Sequence, residues 1–205
     1  MKKIITLLLS VIILSAVFFG AVPAQAGNVI THTVVSGDTM WKMAVRYHVG
    51  LSEIIAANPH IADPHWIYPG DTLYIPLNDS ATTSYEEEVI RLVNDIRRSY
   101  GLNALTSNWQ LSRVARYKSQ DMHDKNYFSH TSPTYGTPFE MIKNFGIKYN
   151  AAGENIAKGY ATPQAVVDGW MNSSGHRANI LNASFKEIGV GYVSSGNYWT
   201  QMFIG

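Results

Sequence analysis

The sequence predicts an α+β chain built from two modules, residues 32–76 and residues 85–205. In the first module, two short runs with strand propensity enclose two segments with helical patterns, which gives the order strand, helix, helix, strand. In the second module, helix-start signals come first, and residues 188–204 then change to the two-residue period of strands, as in a β-hairpin. Helices followed by strands that pack between them favour a layered domain.

The first 26 residues predict a secretory signal peptide. Lys2 and Lys3 precede an apolar run over residues 4–22, and a site of small residues ends at Ala26, where we expect cleavage. A retained membrane anchor is the alternative, because the apolar run approaches the length that spans a bilayer. Pro23 and the small-residue site favour cleavage, so we expect an exported chain with no stable membrane anchor.

Composition excludes several classes of function. The formal net charge of the chain is +1, and loss of the two leader lysines would leave about −1, with no basic stripe for nucleic acid or an anionic membrane. There are no cysteines, which excludes thiol catalysis and cysteine-ligated zinc or iron–sulfur sites. An exported protein without disulfides suits the exterior of a Gram-positive bacterium.

The helices of the first module have recognisable starts. Thr39 can cap a helix that runs to about Tyr47, because a threonine at a helix start accepts a bond from an otherwise unpaired backbone N–H. Ser52 is the expected cap of a second helix that ends at Ala57, before Asn58. The expected core side chains are Trp41, Ile54, Ile55, Ile67 and Leu73.

A polar linker over residues 77–84 separates the modules. Ser84 and Glu87 form a capping-box pattern at the start of a helix that Gly101 ends. Three further helices have starts at Trp109, Pro138 and Pro163.

The first module resembles a LysM repeat. The resemblance is carried by residues 32–34, 36–41, 58–59 and 68–76, including two Gly-Asp-Thr turns. It implies binding to polymers of N-acetylglucosamine such as peptidoglycan or chitin, in a shallow groove where backbone groups bond the N-acetyl amides. The implied groove residues are Gly37, Asp38, Thr39, Met40, Asn58 and Ile61. The alternative is that Gly37 and Asp38 serve only turn geometry.

The second module is similar to the CAP superfamily, also called SCP or PR-1-like, and especially to its bacterial branch. The matching phrases are residues 94–97, 127–133, 153–156, 170–181, 189–192 and 199–203. The resemblance implies an α–β–α sandwich with an open cleft that carries two histidines and two acidic residues, often with a divalent cation such as zinc. Carried over by position, these residues are His130, Glu140, Glu154 and His176.

Each cleft residue also has a structural alternative. Thr137 and Glu140 form a capping-box pattern by themselves, and His130 could bond a loop backbone. Glu154 stands at the start of an extended segment, where a charged residue is unusual unless it is paired or ligating. Serines lie next to both histidines, but no glycine-bracketed nucleophile elbow is present, and catalytic residues stay unassigned.

Three functions therefore stay open. The first is a secreted binding protein that LysM retains on the wall while the CAP domain engages a ligand, a protein partner or a cation. The second is an enzyme that hydrolyses a wall component or a protein in the CAP cleft. The third is a structural protein of a spore envelope, where LysM would bind cortex peptidoglycan.

Overall fold

The computed structural model describes residues 28–205. The predicted signal peptide therefore lies outside the described residues. Within residues 28–205, no helix has both the length and the apolar character needed to cross a membrane.

The N-terminal module has the predicted order of elements: β1 Val29–Thr33, α1 Met40–Tyr47, α2 Leu51–Ala57 and β2 Thr72–Pro76, with β1 and β2 antiparallel. Thr39 caps α1 as predicted, because its side chain accepts a bond from the backbone N–H of Lys42 at 3.1 Å. The prediction that Ser52 caps the second helix is wrong. Gly50 is the N-cap residue of α2, and no side chain bonds there.

The core of this module lies between the helices and one face of the two strands. Its buried side chains include Met40, Met43, Ala44, Ile54, Leu73 and Ile75. Two expected core residues are wrong, since Trp41 is 52% exposed and Ile55 is 37% exposed. Helix α1 buries the stripe of Met40, Met43 and Ala44, and Trp41 lies outside that stripe.

The C-terminal domain contains five helices and four strands. They are α3 Ser80–Ser99, β3 Thr106–Ser107, α4 Trp109–Asp124, α5 Pro138–Asn144, β4 Ala152–Lys158, α6 Pro163–Asn172, α7 Ser174–Ile180, β5 Glu187–Val193 and β6 Tyr198–Ile204. The strand order in the sheet is β3-β5-β6-β4. Strand β3 is parallel to β5, and the other neighbours are antiparallel, with β5 and β6 forming the predicted hairpin.

Helix α3 begins earlier than the sequence predicted. Asp79 is its N-cap residue and accepts a bond from the backbone N–H of Thr82 at 2.8 Å. Ser84 therefore lies inside the helix, and the prediction that it caps the helix is wrong. Most of the predicted linker, residues 77–84, is helical, so only residues 77–79 connect β2 to α3.

The two faces of the sheet are covered by different helices. On one face, Ile188, Val190 and Tyr192 of β5 pack in a core with side chains of α3 and α6. On the other face, β5 presents Gly189 and Gly191 to α4, and a Cβ atom on Gly191 would lie 2.1 Å from the backbone nitrogen of Arg116. The glycines let the α4 backbone approach the strand directly, which completes an α–β–α sandwich.

Candidate functional site

The centre of the candidate site is a buried carboxylate paired with an exposed imidazole. Glu154 lies on β4, and its side chain is 1% exposed, whereas that of His130 is 54% exposed. Glu154 Oε1 lies 2.7 Å from His130 Nδ1. Within residues 28–205, no atom bonds to the second carboxylate oxygen, Oε2, although that oxygen is buried. The glutamate therefore holds the imidazole with one oxygen, and its other oxygen is left without a partner.

A buried lysine on α4 holds the loop that carries His130. Lys118 is 1% exposed, and its Nζ donates to the backbone carbonyl of His130 at 2.8 Å and to the hydroxyl of Tyr127 at 3.3 Å. Burial lowers the pKa of Lys118, and attraction to Glu154 opposes this effect. Lys118 thus positions His130 through its backbone and places a positive charge near the buried carboxylate.

Asp121, one turn further along α4, fixes the rest of that loop. Its carboxylate accepts bonds from Tyr127 at 2.7 Å and Ser132 at 2.6 Å, and also from Thr134. Burial alone would raise the pKa of Asp121, but these hydrogen bonds outweigh burial and hold the pKa below its ordinary value. The hydroxyl of Ser132 is therefore committed to the loop, not to His130.

His176 reaches the same region from α7. Its backbone carbonyl accepts a bond from Asn155 at 3.2 Å, and Asn179 of α7 bonds Asn155 at 2.8 Å and the carbonyl of Glu154 at 3.1 Å. Burial lowers the pKa of His176, and the charge of nearby His130 lowers it further. The imidazole of His176 thus lies close enough to that of His130 for the two to interact electrostatically.

Glu140 is placed differently from the other three. It forms the capping box at the start of α5, where Oε2 accepts a bond from the backbone N–H of Thr137 at 2.8 Å. The side chain is exposed, and these bonds lower its pKa. The structural alternative for Glu140 is therefore present, and its carboxylate is already engaged at the helix start.

The predicted ligand set does not fit a cation in this arrangement. Within residues 28–205, no group of three or more histidine, aspartate, glutamate or cysteine side chains lies close enough together to hold a metal ion. A zinc site needs at least three protein ligands. Binding of a divalent cation therefore stays a prediction.

A serine, a histidine and an aspartate do form a row elsewhere on this domain. Ser195 Oγ lies 2.9 Å from His123 Nε2, and His123 Nδ1 lies 2.7 Å from Asp124 Oδ1. However, the side chain of His123 is 34% exposed and that of Asp124 is 48% exposed. A catalytic triad needs a buried carboxylate that holds the imidazole out of water, so this exposed row lacks that arrangement.

In the LysM module, the carboxylate of Asp38 is turned inward and bonds neighbouring residues of the module. Its carboxylate accepts bonds from the backbone N–H of Val35 at 3.0 Å and from His32 Nε2 at 2.8 Å, and its side chain is 5% exposed. The bond to His32 is the largest cause that lowers the pKa of Asp38. Its side chain therefore closes the turn formed by Ser36 and Gly37.

Asn58 is also used by the fold. Its side chain donates to the carbonyls of Ile54 and Tyr74 and accepts from the N–H of Tyr74, each at 2.7 Å. Met40 is buried in the module core and Thr39 caps α1, so the implied groove presents backbone groups around Gly37 and the partly buried Ile61. Trp66 is an exposed aromatic residue near this groove segment in the sequence that the motif did not include, although an exposed tryptophan is typical of binding surfaces.

Comparison with known families agrees with both modules. The model of the CAP family, described as the cysteine-rich secretory protein family, matches residues 90–203, which is more than half of the chain. The chain therefore belongs to this family, although it has no cysteine. The model of the LysM domain matches residues 32–76, which supports binding to peptidoglycan or related N-acetylglucosamine polymers.

Individual relatives are bacterial. The chain is 60% identical over 126 residues to the uncharacterized protein YkwD of Bacillus subtilis, which covers 62% of this chain and 49% of that protein. It is 39% identical over 122 residues to the uncharacterized membrane protein YlbC of the same species, which covers 60% of this chain and 35% of that protein. The chain thus spans half or less of the length of these relatives.

Solved structures also share the fold. The crystal structure of an extracellular SCP-domain protein from Bacillus anthracis strain Ames has a TM-score of 0.59 and 37% identity, and the match covers 66% of this chain and 47% of that one. An outer surface protein of Borrelia burgdorferi has a TM-score of 0.54 and 21% identity over 58% of this chain and 90% of that one, which shows the fold alone. The LysM domain and the extracellular SCP-domain relative from Bacillus anthracis suggest a secreted or wall-associated protein.

Proposed function

We propose that this chain is secreted, that its LysM domain retains it on peptidoglycan, and that its CAP domain binds a ligand in the cleft of His130, Glu154 and His176. The LysM match and the extracellular SCP-domain relative support the location. The geometry around Glu154 supports the ligand site.

The unpartnered oxygen of Glu154 is the observation that carries the ligand site. A buried acceptor without a hydrogen bond costs about 1–3 kcal/mol, and more when it is charged. Evolution of the fold alone would favour a partner for it, because buried polar atoms are almost always bonded. A ligand that donates a hydrogen bond to Oε2, beside the imidazole of His130, would remove that cost.

Such a ligand carries a donor group, and the wall polymer supplies many in its amides, hydroxyls and peptide amines. His130 can exchange a proton with a ligand through the nitrogen that Glu154 does not hold, because the carboxylate orients the imidazole. Burial and the charge of His130 both disfavour the charged form of His176, so its imidazole offers a second polar contact for a ligand. These groups suit recognition of a polar, donor-rich molecule.

A hydrolase is the second candidate. One relative, named a probable autolysin of Staphylococcus aureus, is 30% identical over 78 residues, which covers 38% of this chain and 27% of that protein. The pair of Glu154 and His130 has the composition of a general acid–base pair, in which the histidine would take a proton from water. This candidate requires that the protein hydrolyse wall material and that the hydrolysis depend on both Glu154 and His130.

Pelleting with purified wall sacculi tests the location. We expect residues 27–205 to pellet with sacculi and residues 78–205 to stay in solution, because only the longer piece contains the LysM domain. Soluble N-acetylglucosamine oligomers should compete, and glucosamine oligomers without the acetyl group should not. Equal pelleting of both pieces would contradict the proposal.

Incubation with sacculi, muropeptides and casein separates binding from hydrolysis. The protein is tested with and without added zinc, beside the variants Glu154→Gln and His130→Ala. Saturable binding of a muropeptide without product, weakened in both variants, supports the ligand site. Release of soluble fragments that both variants abolish would favour the hydrolase instead.

A further inference from the structure

An ion pair joins the LysM domain to the first turns of α4. Arg113 Nε donates to Glu53 Oε1 at 2.6 Å, and Arg113 Nη2 donates to Glu53 Oε2 at 2.9 Å. The hydroxyl of Tyr117 donates to Glu53 Oε1 at 2.7 Å, and Arg113 Nη2 also reaches Ser52 Oγ at 2.8 Å. One glutamate of the LysM domain thus receives three bonds from the CAP domain.

An aromatic contact extends this surface. The ring of His48, between α1 and α2, stacks on Trp109 with 5.6 Å between centroids and 11° between ring planes. Trp109, Arg113 and Tyr117 are four residues apart, so they lie along one face of α4. The contact is therefore a continuous helix face, larger than a single chance ion pair.

The guanidinium of Arg113 is enclosed from both sides. On the CAP side, its Cζ lies 5.2 Å from the ring centroids of Tyr117 and Phe145. On the LysM side, Gly50 leaves room for the guanidinium, because a Cβ atom there would lie 2.2 Å from Arg113 Nε and the side chain would have to shift. The two surfaces are complementary in shape as well as in charge.

The direction of the pKa shift of Glu53 is consistent with its enclosure beside Arg113. Burial alone would raise the pKa of Glu53, but the hydrogen bonds and the charge of Arg113 outweigh burial and hold the pKa below its ordinary value. An ion pair that is partly withdrawn from water is screened less by salt than an exposed pair.

The connection between the domains is short. Residues 77–79 alone join β2 to α3, and three extended residues span only about 10 Å. A short connection gives the two surfaces a high effective concentration, so a modest interaction suffices to keep them together.

We propose that the face of α4 formed by Trp109, Arg113 and Tyr117 is a docking surface for the LysM domain, which sets one orientation between LysM and the CAP cleft. The contact uses His48 after α1 and the N-terminal end of α2. The implied groove residues lie at the start of α1 and after the C-terminal end of α2, so docking leaves the groove open. The same helix α4 holds the loop of His130 through Lys118. A glycan strand held by the LysM domain therefore meets the cleft at a fixed angle. This consequence rests on the proposed function, whereas the docking of the two domains is independent of it.

Spin-label distance measurements test the docking. The chain has no cysteine, so the exposed pair Ala62→Cys and Ala161→Cys places one label on each domain without interference. We compare residues 27–205 with Glu53→Lys, with Arg113→Glu and with both changes together. Arg91→Glu is the matched control, because Arg91 pairs only with Glu88 and Asp95 of its own helix among the described residues.

We expect one narrow distance distribution in the parent and in the control. Each single variant should broaden or split it through like-charge repulsion, and the double variant should restore it because the charges are exchanged. A parent distribution as broad as that of Glu53→Lys would overturn the docking. Pelleting with sacculi, measured on the same samples, should be unchanged in all of them. If the parent shows a narrow distance distribution but does not pellet with sacculi, the proposed function is refuted and the docking stands.

Discussion

Replacing Asn58 by alanine tests whether this residue builds the LysM domain or contacts sugar. Backbone groups alternate in direction along a strand, so those of Tyr74 point away from β1 and toward Asn58. The side-chain amide of Asn58 bonds both of them, and it bonds the last turn of α2 as well. The side chain of Asn58 therefore pairs with the free edge of β2 and links α2 to the sheet.

The size of the effect follows from the lost bonds. Asn58→Ala removes three hydrogen bonds of 2.7 Å, and a net contribution of about 1 kcal/mol each gives a loss of about 3 kcal/mol. A domain of about 50 residues has a free energy of unfolding of about 2–7 kcal/mol. The loss is thus a large part of the stability of this domain, and it should leave the separately folded core of the CAP domain unaffected.

Native-state hydrogen exchange in residues 27–205 measures this loss within the intact chain. We expect the amides of Leu73 and Ile75 to exchange about 100-fold faster in Asn58→Ala, since about 1.4 kcal/mol corresponds to a tenfold change. Asn78→Ala, the same change at an exposed position, is the control. Unchanged protection together with lost binding to sacculi would refute this reasoning and make Asn58 a sugar contact.

Two further predictions concern the CAP cleft. His130→Ala should raise the pKa of His176 part of the way to its ordinary value, because the charge of His130 is removed while burial remains. NMR titration of the His176 imidazole measures this pKa, and His123→Ala is the control. The folded pKa of His176 lies below its unfolded value of about 6.5. The protein should therefore keep this contribution to its stability above about pH 6.5 and lose it as the pH falls from there through the folded pKa. Glu140→Gln should slightly lower the thermal midpoint through the capping box and leave the pKa of His176 unmoved, and a shifted titration would place Glu140 in the cleft after all.

Local chemistry in the sequence determined much of the fold. Thr39, Thr137 with Pro138 and Thr162 with Pro163 mark helix starts that the structure confirms, because a cap and a fixed proline φ act within a few residues. The alternation after residue 187 likewise predicted the hairpin of β5 and β6. The same local rule misplaced the start of α3, since the pattern of Ser84 and Glu87 also occurs inside a helix that Asp79 starts earlier.

Tertiary structure decided which polar residues meet. Family resemblance named His130, Glu140, Glu154 and His176 together, but only packing shows that Glu154 is buried beside His130 while Glu140 caps α5. Lys118 gave no signal in the sequence, because a lysine on a helix reads as an exposed residue until the loop of His130 covers it. Contacts such as Glu53 with Arg113 join residues sixty positions apart, and no pattern of period two or 3.6 extends that far. Short-range rules therefore predicted most of the elements, and long-range packing alone decided which side chains meet in the site and between the domains.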